Sequence, residues 1–94
     1  MAEKITREIT LLNKYGMHVR PAGLFAKLAS KFDADIEVDK DGNVVSGKSI
    51  MALMTLEAVC GTTLKISASG AQAKEALDEL CALIERRFDI PDEQ

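Results

Sequence analysis

The stretch Tyr15-Gly16-Met17-His18-Val19-Arg20-Pro21-Ala22 decides the fold, because strand-like alternation ends before it and helical spacing begins within it. Apolar residues alternate over residues 4–12, which predicts a strand with one buried face. Later apolar residues recur as one helix stripe: Pro21, Leu24, Phe25, Leu28, Ala29 and Phe32. Since proline suits the first helical turn, a helix is predicted over about residues 21–31, with His18 and Val19 at its entry.

Five further elements follow from the same periodicities. They are a strand at 35–39, a strand at 43–46, a helix at 50–56, a strand between Gly61 and Gly70, and a helix at 72–87. Lys40-Asp41-Gly42-Asn43 is the strongest hairpin signal, since Asp-Gly suits a turn that needs φ > 0. Ser49 stands where the N-cap of the second helix belongs.

The resulting βαββαβα order predicts an α+β fold. Every strand is apolar on one face only, Arg7 being the exception in the first, so we expect one antiparallel sheet with the helices packed on a single face. The pattern leaves the strand order open, because a ferredoxin-like fold has nearly the same string of elements. Residues 1–88 are expected to form one domain and residues 89–94 a C-terminal tail.

Composition excludes several functional classes. The net charge is −3 and aromatic residues make up 4% of the chain, so nucleic acid is not an expected partner. Two separated cysteines and one histidine argue against a structural zinc site, and no cofactor is expected. No apolar run is long enough to insert in a membrane. We expect a cytoplasmic monomer.

His18 is the one histidine of the chain and a candidate phosphate carrier. A helix start offers unpaired N–H groups and a positive dipole end, and a neutral imidazole there can act as a nucleophile. Arg20 could donate charge-assisted hydrogen bonds to phosphate, and Gly16 would allow a tight turn. No general base or metal is present to activate water, which suits a carrier. An ordinary surface histidine at a loop–helix junction remains the alternative.

A second candidate site lies at Ser49. The helix after it is apolar nearly all round, so Leu53 and Leu56 are predicted to point inward. An exposed patch would then remain, consisting of Ile50, Met51 and Met54. Ser49 is either an ordinary N-cap or also a phosphorylation site, where negative charge would hinder docking. The methionines could instead fill the core.

Two motifs in this chain resemble one known family. Gly16-Met17-His18-Val19-Arg20-Pro21-Ala22 resembles the active-site signature of HPr, the histidine-containing phosphocarrier of the phosphoenolpyruvate-dependent phosphotransferase system. Gly47-Lys48-Ser49-Ile50-Met51 resembles the regulatory serine segment of the same family. The spacing matches without gaps, and the likeness runs over about residues 3–88.

The resemblance implies an open-faced β-sandwich with strand order 1-4-2-3 and three helices on one face. It implies that His18 is phosphorylated on Nδ1 by phospho-enzyme I and passes the phosphoryl group to an EIIA domain or protein, with Arg20 positioning the phosphate. Ser49 would be the target of HPr kinase/phosphorylase, which slows transfer and creates a binding form for a transcriptional regulator. The implied docking surface consists of Gly23, Lys27, Ile50, Met51 and Met54. Such a carrier has no independent turnover, and a free-standing enzyme is disfavoured because one histidine offers no base–nucleophile pair.

The sequence combines features of two branches of this family. Asn13-Lys14-Tyr15-Gly16-Met17-His18 and Phe32-Asp33-Ala34 resemble NPr, the nitrogen-branch paralogue, whereas Lys48-Ser49-Ile50-Met51 resembles kinase-regulated HPr. Tyr15 stands where many sugar-system members carry a small polar residue. We favour HPr with a kinase-responsive Ser49. An NPr-type carrier, or a regulatory binding module controlled through Ser49, is the alternative.

Overall fold

Seven elements and one short turn of helix make up the chain in the computed structural model, which describes residues 4–90. They are β1 (Ile5–Thr10), α1 (Val19–Ala29), β2 (Asp35–Lys40), β3 (Asn43–Ser46), α2 (Ile50–Met54), β4 (Thr63–Ser69), α3 (Ala73–Glu85) and a 3₁₀ turn (Arg87–Asp89). The predicted βαββαβα order is confirmed. The second and third helices end earlier than predicted, at Met54 and Glu85.

The four strands form one antiparallel sheet in the order β1-β4-β2-β3, as the resemblance implied. Strand β4 is central and pairs with both β1 and β2, so Ile66 lies between Arg7 and Val38. The β2–β3 hairpin turns through Asp41 and Gly42, whose φ angles of 52° and 95° are both positive, as the Asp-Gly signal predicts. All three helices cover one face of the sheet, and the other face is open.

The core lies between the sheet and the helices. Its largest fully buried side chains are Phe25, Phe88, Leu11, Leu53, Leu64, Ile66, Leu77, Leu80 and Ile84. The helical spacing of residues 72–87 predicts an apolar stripe on α3, and its members are all buried: Ala73, Ala76, Leu77, Leu80, Leu83 and Ile84. Burial of this apolar surface is the main favourable term in folding.

Helix α1 differs from the prediction in its first residue and in the face that it buries. It begins at Val19, with His18 as its N-cap, so Val19 lies inside the helix rather than before it. Its buried stripe is Pro21, Ala22, Phe25, Ala26 and Ala29, whereas Leu24 is 37% exposed. The prediction for Leu24 was wrong because it followed the large apolar side chains. The alanines allow the helix to approach the core closely, and they define the buried face.

Arg7 occupies the core-facing side of β1, opposite Ile66, and this explains the break in the apolar alternation. Because β1 is an edge strand, the guanidinium reaches outward to the carboxylate of Asp78 on α3. Lys74 Nζ also contacts Asp78, at 2.9 Å from Oδ2. The hydrogen bonds from Lys74 and Arg7 lower the pKa of Asp78. Burial raises the pKa of the neighbouring Cys81 thiol.

We expect the Asp78→Asn variant to be less stable than wild type at neutral pH, with a difference that disappears in acid. The folded pKa of Asp78 is lowered, so its stabilising contribution is present above the ordinary aspartate pKa of about 3.9 and is lost as the pH falls through the folded value. Melting temperatures of both proteins between pH 7 and pH 2 measure this. Glu79→Gln, at an exposed site on the same helix, is the matched control. A difference that persists unchanged at pH 2 would contradict the explanation.

The C-terminal part of the described chain is ordered by packing. Arg87, Phe88 and Asp89 all have φ between 55° and 59°, and this reversal buries Phe88 and Ile90. Ile90, the second residue of the predicted tail, therefore lies against the core, whereas Asp89 is exposed. Residues 91–94 fall outside the described residues, as do residues 1–3, and the boundary at residue 88 stays a prediction.

Candidate functional site

The loop that leads to His18 is held by a second loop, which lies about 45 residues later in the sequence. Backbone hydrogen bonds join Leu11 N to Thr62 O (2.9 Å), Gly61 N to Leu11 O (2.8 Å), and Met17 N to Ala58 O (2.8 Å). We call residues 11–17 and 57–62, joined in this way, the paired loops. The backbone before His18 is therefore fixed by tertiary contacts.

Gly16 sits at the closest approach between the paired loops. Its φ is +65°, and a Cβ placed there would lie 2.2 Å from the carbonyl oxygen of Ala58 and 2.7 Å from Cα of Val59. Only glycine fits both the backbone conformation and the space. The tight turn predicted at Gly16 is present, and its partner is the second of the paired loops.

A tight turn over residues 13–16 lies inside this loop. Gly16 N donates to Asn13 O (3.2 Å), and the side-chain Nδ2 of Asn13 donates to Gly16 O (2.7 Å). The same Gly16 carbonyl accepts from the backbone N of His18 at 3.0 Å. Asn13 is 3% exposed, and its Oδ1 accepts no hydrogen bond from residues 4–90. The turn therefore connects a buried amide to the backbone of the histidine.

His18 is the N-cap residue of α1, with extended backbone angles of φ −88° and ψ −170°. Its carbonyl accepts the first helical hydrogen bond, from Ala22 N at 2.9 Å, while its side chain makes no capping bond. The imidazole is half-buried, and its Nε2 atom is buried. The ring of Tyr15 contacts it edge to face, with centroids 5.9 Å apart and planes at 88°.

The first turn of α1 can bind an anion. Val19, Arg20 and Pro21 follow the cap, so the amides of Val19 and Arg20 have no acceptor within the helix, while proline has no N–H. Arg20 is exposed, and its side chain adds a full positive charge to the same helical turn. Backbone donors, a helix dipole and arginine together provide the chemistry for holding phosphate.

Ser49 is the N-cap of α2, as predicted. Its Oγ accepts from the backbone N of Ala52 at 3.1 Å, and the residue is half-buried. Leu53 and Leu56 are buried as predicted. The cap therefore sets the start of a five-residue helix whose other face is exposed.

The other predicted docking residues lie on α1 and α2, which pack against each other. Ile50, Met51 and Met54 are exposed, Met51 by 79%, so the predicted patch is confirmed as a surface feature. A Cβ at Gly23 would lie 3.9 Å from Cδ1 of Ile50, which brings the two helices together there. Lys27 is exposed in the last turn of α1. We call these five residues the α1–α2 surface.

Two apolar side chains on α1 are exposed, although the sequence analysis did not predict this. They are Val19, which is 61% exposed, and Leu24. The spacing of Ala22, Phe25, Ala26 and Ala29 is the signal that could have found Leu24, because it defines a buried stripe that excludes position 24. Counting alanine as core-facing would have placed Leu24 beside the α1–α2 surface.

A surface cleft of about 400 Å³ lies away from His18, on the open side of the sheet. Its lining includes Lys4, Glu37 and Ser69 and none of the candidate site residues. Within residues 4–90, no group of three or more His, Cys, Asp or Glu side chains could hold a metal ion. None of the helices in this range is both long and apolar enough to cross a bilayer.

Fold and site together define a class of protein: a small open-faced β-sandwich that presents a histidine at the N-terminus of a helix. Among known families, the one described as "PTS HPr component phosphorylation site" matches residues 5–86. The chain therefore belongs to the HPr family of the phosphotransferase system.

Individual relatives include phosphocarrier proteins named NPr and others named HPr. The phosphocarrier protein NPr of Shewanella violacea is 40% identical over 86 residues, covering 92% of this chain and 94% of the relative. The phosphocarrier protein HPr of Vibrio cholerae is 45% identical over 80 residues, covering 85% and 94%. A crystal structure of HPr from Thermoanaerobacter tengcongensis superposes with a TM-score of 0.86 at 43% identity, covering 95% of this chain and 98% of that one. Membership of the family supports the general role of a phosphocarrier.

Proposed function

We propose that this protein carries a phosphoryl group on His18, accepting it from phospho-enzyme I and passing it to an EIIA domain or protein. The observation that carries the proposal is the placement of His18 as the N-cap of α1, followed by two first-turn amides and Arg20. The coarser statement, that HPr-family proteins work with the enzymes of the phosphotransferase system, follows from the family. A cytoplasmic location and a monomeric state stay predictions.

The chemistry is the transfer of a phosphoryl group from the donor to an imidazole. The lone pair of His18 Nδ1 attacks phosphorus and a new N–P bond forms, while the bond between phosphorus and the donor breaks with its electron pair leaving on the donor. Burial of Nε2 favours Nδ1 as the acceptor, because Nδ1 is then the ring nitrogen that a donor can approach. Arg20 and the first-turn amides stabilise the charge on the phosphoryl oxygens.

Transfer between proteins requires the donor to bring its phosphoryl group up to His18, so the donor needs a surface on which to dock. The α1–α2 surface is the proposed docking site for both donor and acceptor, since Ile50, Met51 and Met54 are exposed on it and Lys27 adds positive charge.

The test of the carrier function is direct labelling. Incubation with enzyme I and labelled phosphoenolpyruvate should produce a phosphate that is labile in acid and stable in base. His18→Ala and the similarly sized His18→Gln should take up none of it, whereas Glu79→Gln should be labelled like wild type. Label retained by His18→Ala would rule out the assignment.

We further propose that Ser49 is phosphorylated by an ATP-dependent kinase and that this weakens docking. Its Oγ caps α2 next to Ile50 and Met51, so a phosphate there would place charge beside the apolar part of the α1–α2 surface. Repulsion and desolvation would then oppose binding of enzyme I, and a different partner, such as a transcriptional regulator, could recognise the new charge.

Ser49→Ala should lose kinase labelling while His18 still accepts phosphate from enzyme I. Loss of the hydrogen bond to Ala52 N should lower the free energy of unfolding by about 1 kcal/mol. Ser49→Asp should accept phosphate from enzyme I more slowly than Ser49→Ala does. Ser46→Ala, three residues away, is the control and should be labelled by the kinase like wild type. Unchanged transfer in Ser49→Asp and no labelling of wild type would contradict the regulatory role.

The second candidate is an NPr-type carrier of the nitrogen branch, favoured by the turn Asn13-Lys14-Tyr15-Gly16 and by similar identity to relatives of both branches. A competition assay separates the two: phosphorylated protein is offered equal amounts of sugar-branch and nitrogen-branch EIIA proteins. Faster transfer to the sugar-branch EIIA supports HPr with a kinase-responsive Ser49, and the reverse supports NPr. A chain that binds partners through Ser49 but carries no phosphate on His18 would be a regulatory module.

A further inference from the structure

Tyr15 contacts the reactive ring, and the carrier chemistry described so far does not use it. Its ring lies edge to face with the imidazole of His18, at 5.9 Å between centroids and 88° between planes. We propose that Tyr15 is a positioning residue, whose ring fixes the plane of the His18 imidazole so that Nδ1 faces the incoming phosphoryl group. This inference rests on the proposed carrier function.

The tyrosine is placed by a rigid backbone. Tyr15 is the third residue of the turn over residues 13–16, which is closed by a backbone hydrogen bond and by the side-chain amide of Asn13 at 2.7 Å from Gly16 O. Directly after the turn, Met17 N binds Ala58 O at 2.8 Å. The Cα of Tyr15 is therefore held between two fixed points.

The ring of Tyr15 is restrained as well. Lys14 Nζ lies 5.2 Å from its centroid, within the range of a cation–π contact on one side, and the imidazole is its aromatic neighbour. Tyr15 is 47% exposed, so these contacts, rather than burial in the core, define its position. Edge-to-face aromatic pairs have a preferred geometry, which allows one ring to orient the other.

The backbone of His18 does not by itself determine the plane of its imidazole, so contacts of the ring contribute to its orientation. The main chain of His18 is fixed by the bond from His18 N to Gly16 O and by the bond from Ala22 N to its carbonyl. Rotation about the bond between Cβ and the ring is broad for histidine. Transfer requires the Nδ1 lone pair to point at phosphorus at a distance of about 3–3.5 Å, and free rotation would make that arrangement rarer.

Tyr15 is exposed and could instead contact a partner protein. The two roles differ in what they change. A docking residue alters the KM for enzyme I, whereas a positioning residue alters kcat and also alters reactions that involve no partner protein. Phosphoramidate is a small phosphoryl donor that needs no docking surface, so it isolates the imidazole.

The experiment compares wild type, Tyr15→Phe and Tyr15→Leu, with Val59→Ala as a control at an exposed apolar residue of the other paired loop. Tyr15→Leu should accept phosphate from phosphoramidate about threefold to tenfold more slowly, as expected for loss of one aromatic contact. With enzyme I its kcat should fall by a similar factor while KM stays unchanged. Tyr15→Phe should match wild type, since it keeps the ring.

Proton NMR of the His18 ring gives a readout that needs no transfer. The ring current of Tyr15 should shift the imidazole protons in wild type and in Tyr15→Phe, and the shift should be lost in Tyr15→Leu. If the backbone amide spectrum of Tyr15→Leu shows a disturbed loop, Tyr15→Met takes its place in every measurement.

Each outcome decides the matter. If Tyr15→Leu accepts phosphate from phosphoramidate at the wild-type rate and its imidazole protons resonate as in wild type, the positioning role is overturned. A rise in KM alone assigns Tyr15 to docking. If wild-type protein is phosphorylated on His18 by phosphoramidate but not by enzyme I, the carrier function fails, while the comparison of Tyr15 variants still tests the positioning role.

Discussion

Gly16→Ala should lower the free energy of unfolding by about 2–4 kcal/mol. The new Cβ would stand 2.2 Å from Ala58 O and under 3 Å from the backbone of Val59, so main chain rather than a flexible side chain must move. The φ of +65° adds the strain of a left-handed conformation. For a chain of this size the melting temperature should fall by roughly 10–25 °C, as thermal unfolding would measure.

Substitutions at two other glycines distinguish the effect of the steric clash from the effect of backbone strain. Gly42 and Gly61 have φ of +95° and +94°, and a Cβ at either would meet nothing within 4 Å. Gly42→Ala and Gly61→Ala should therefore cost only about 1 kcal/mol each, from the left-handed conformation alone. A Gly16→Ala variant no less stable than these two would show that the paired loops separate without cost.

The same substitution should impair phosphoryl transfer beyond its effect on stability. Moving the paired loops apart would break the bond from Met17 N to Ala58 O and release the backbone next to His18. At a temperature where all variants are folded, we expect Gly16→Ala to accept phosphate at least tenfold more slowly than Gly61→Ala.

Met51→Asp should raise the KM for enzyme I by about tenfold or more while leaving kcat and stability nearly unchanged. Met51 is the most exposed large apolar residue among those described, at 79%, and a carboxylate there would have to be desolvated when a partner docks. Because the side chain contributes little to the core, the fold should not respond. Initial rates of transfer at varied enzyme I concentration give both constants.

The matched control is Val44→Asp. Val44 is 53% exposed and pairs with Asp39 on the open side of the sheet, away from the helices. It receives the same added charge at a similarly exposed apolar position, so transfer from enzyme I should proceed at the wild-type rate. Equal losses in both variants would point to a general effect of charge, and the α1–α2 surface would lose its proposed role.

Local patterns predicted the parts of this protein that depend on local interactions. The Asp41-Gly42 turn, the bounds of β3 and the cap at Ser49 each rest on residues within a few positions of one another, and each was found where expected. The strand order came instead from the resemblance to HPr, because the alternation of a strand does not specify its neighbour.

The errors and omissions have a common physical cause. The face of α1 depends on how closely the helix approaches the core, so Leu24 was assigned by size when Ala22 and Ala26 decided the orientation. The contact of Gly16 with Ala58 joins residues that are far apart in sequence and leaves no periodic signal. The same holds for Arg7 and Asp78, whose pairing required the edge position of β1.

The paired loops also determine when the site can form during protein synthesis. The backbone before His18 is held by Ala58 and Thr62, and β1 pairs with β4, which ends at Ser69. When His18 has emerged from the ribosome, the residues that position it have not yet been synthesised. The contacts that hold the site join residues far apart in sequence, so they form only later. Truncated translation products that end before residue 58 would contain the reactive residue without the supports that arrange it. Incomplete chains should thus compete poorly with the finished protein for phosphate.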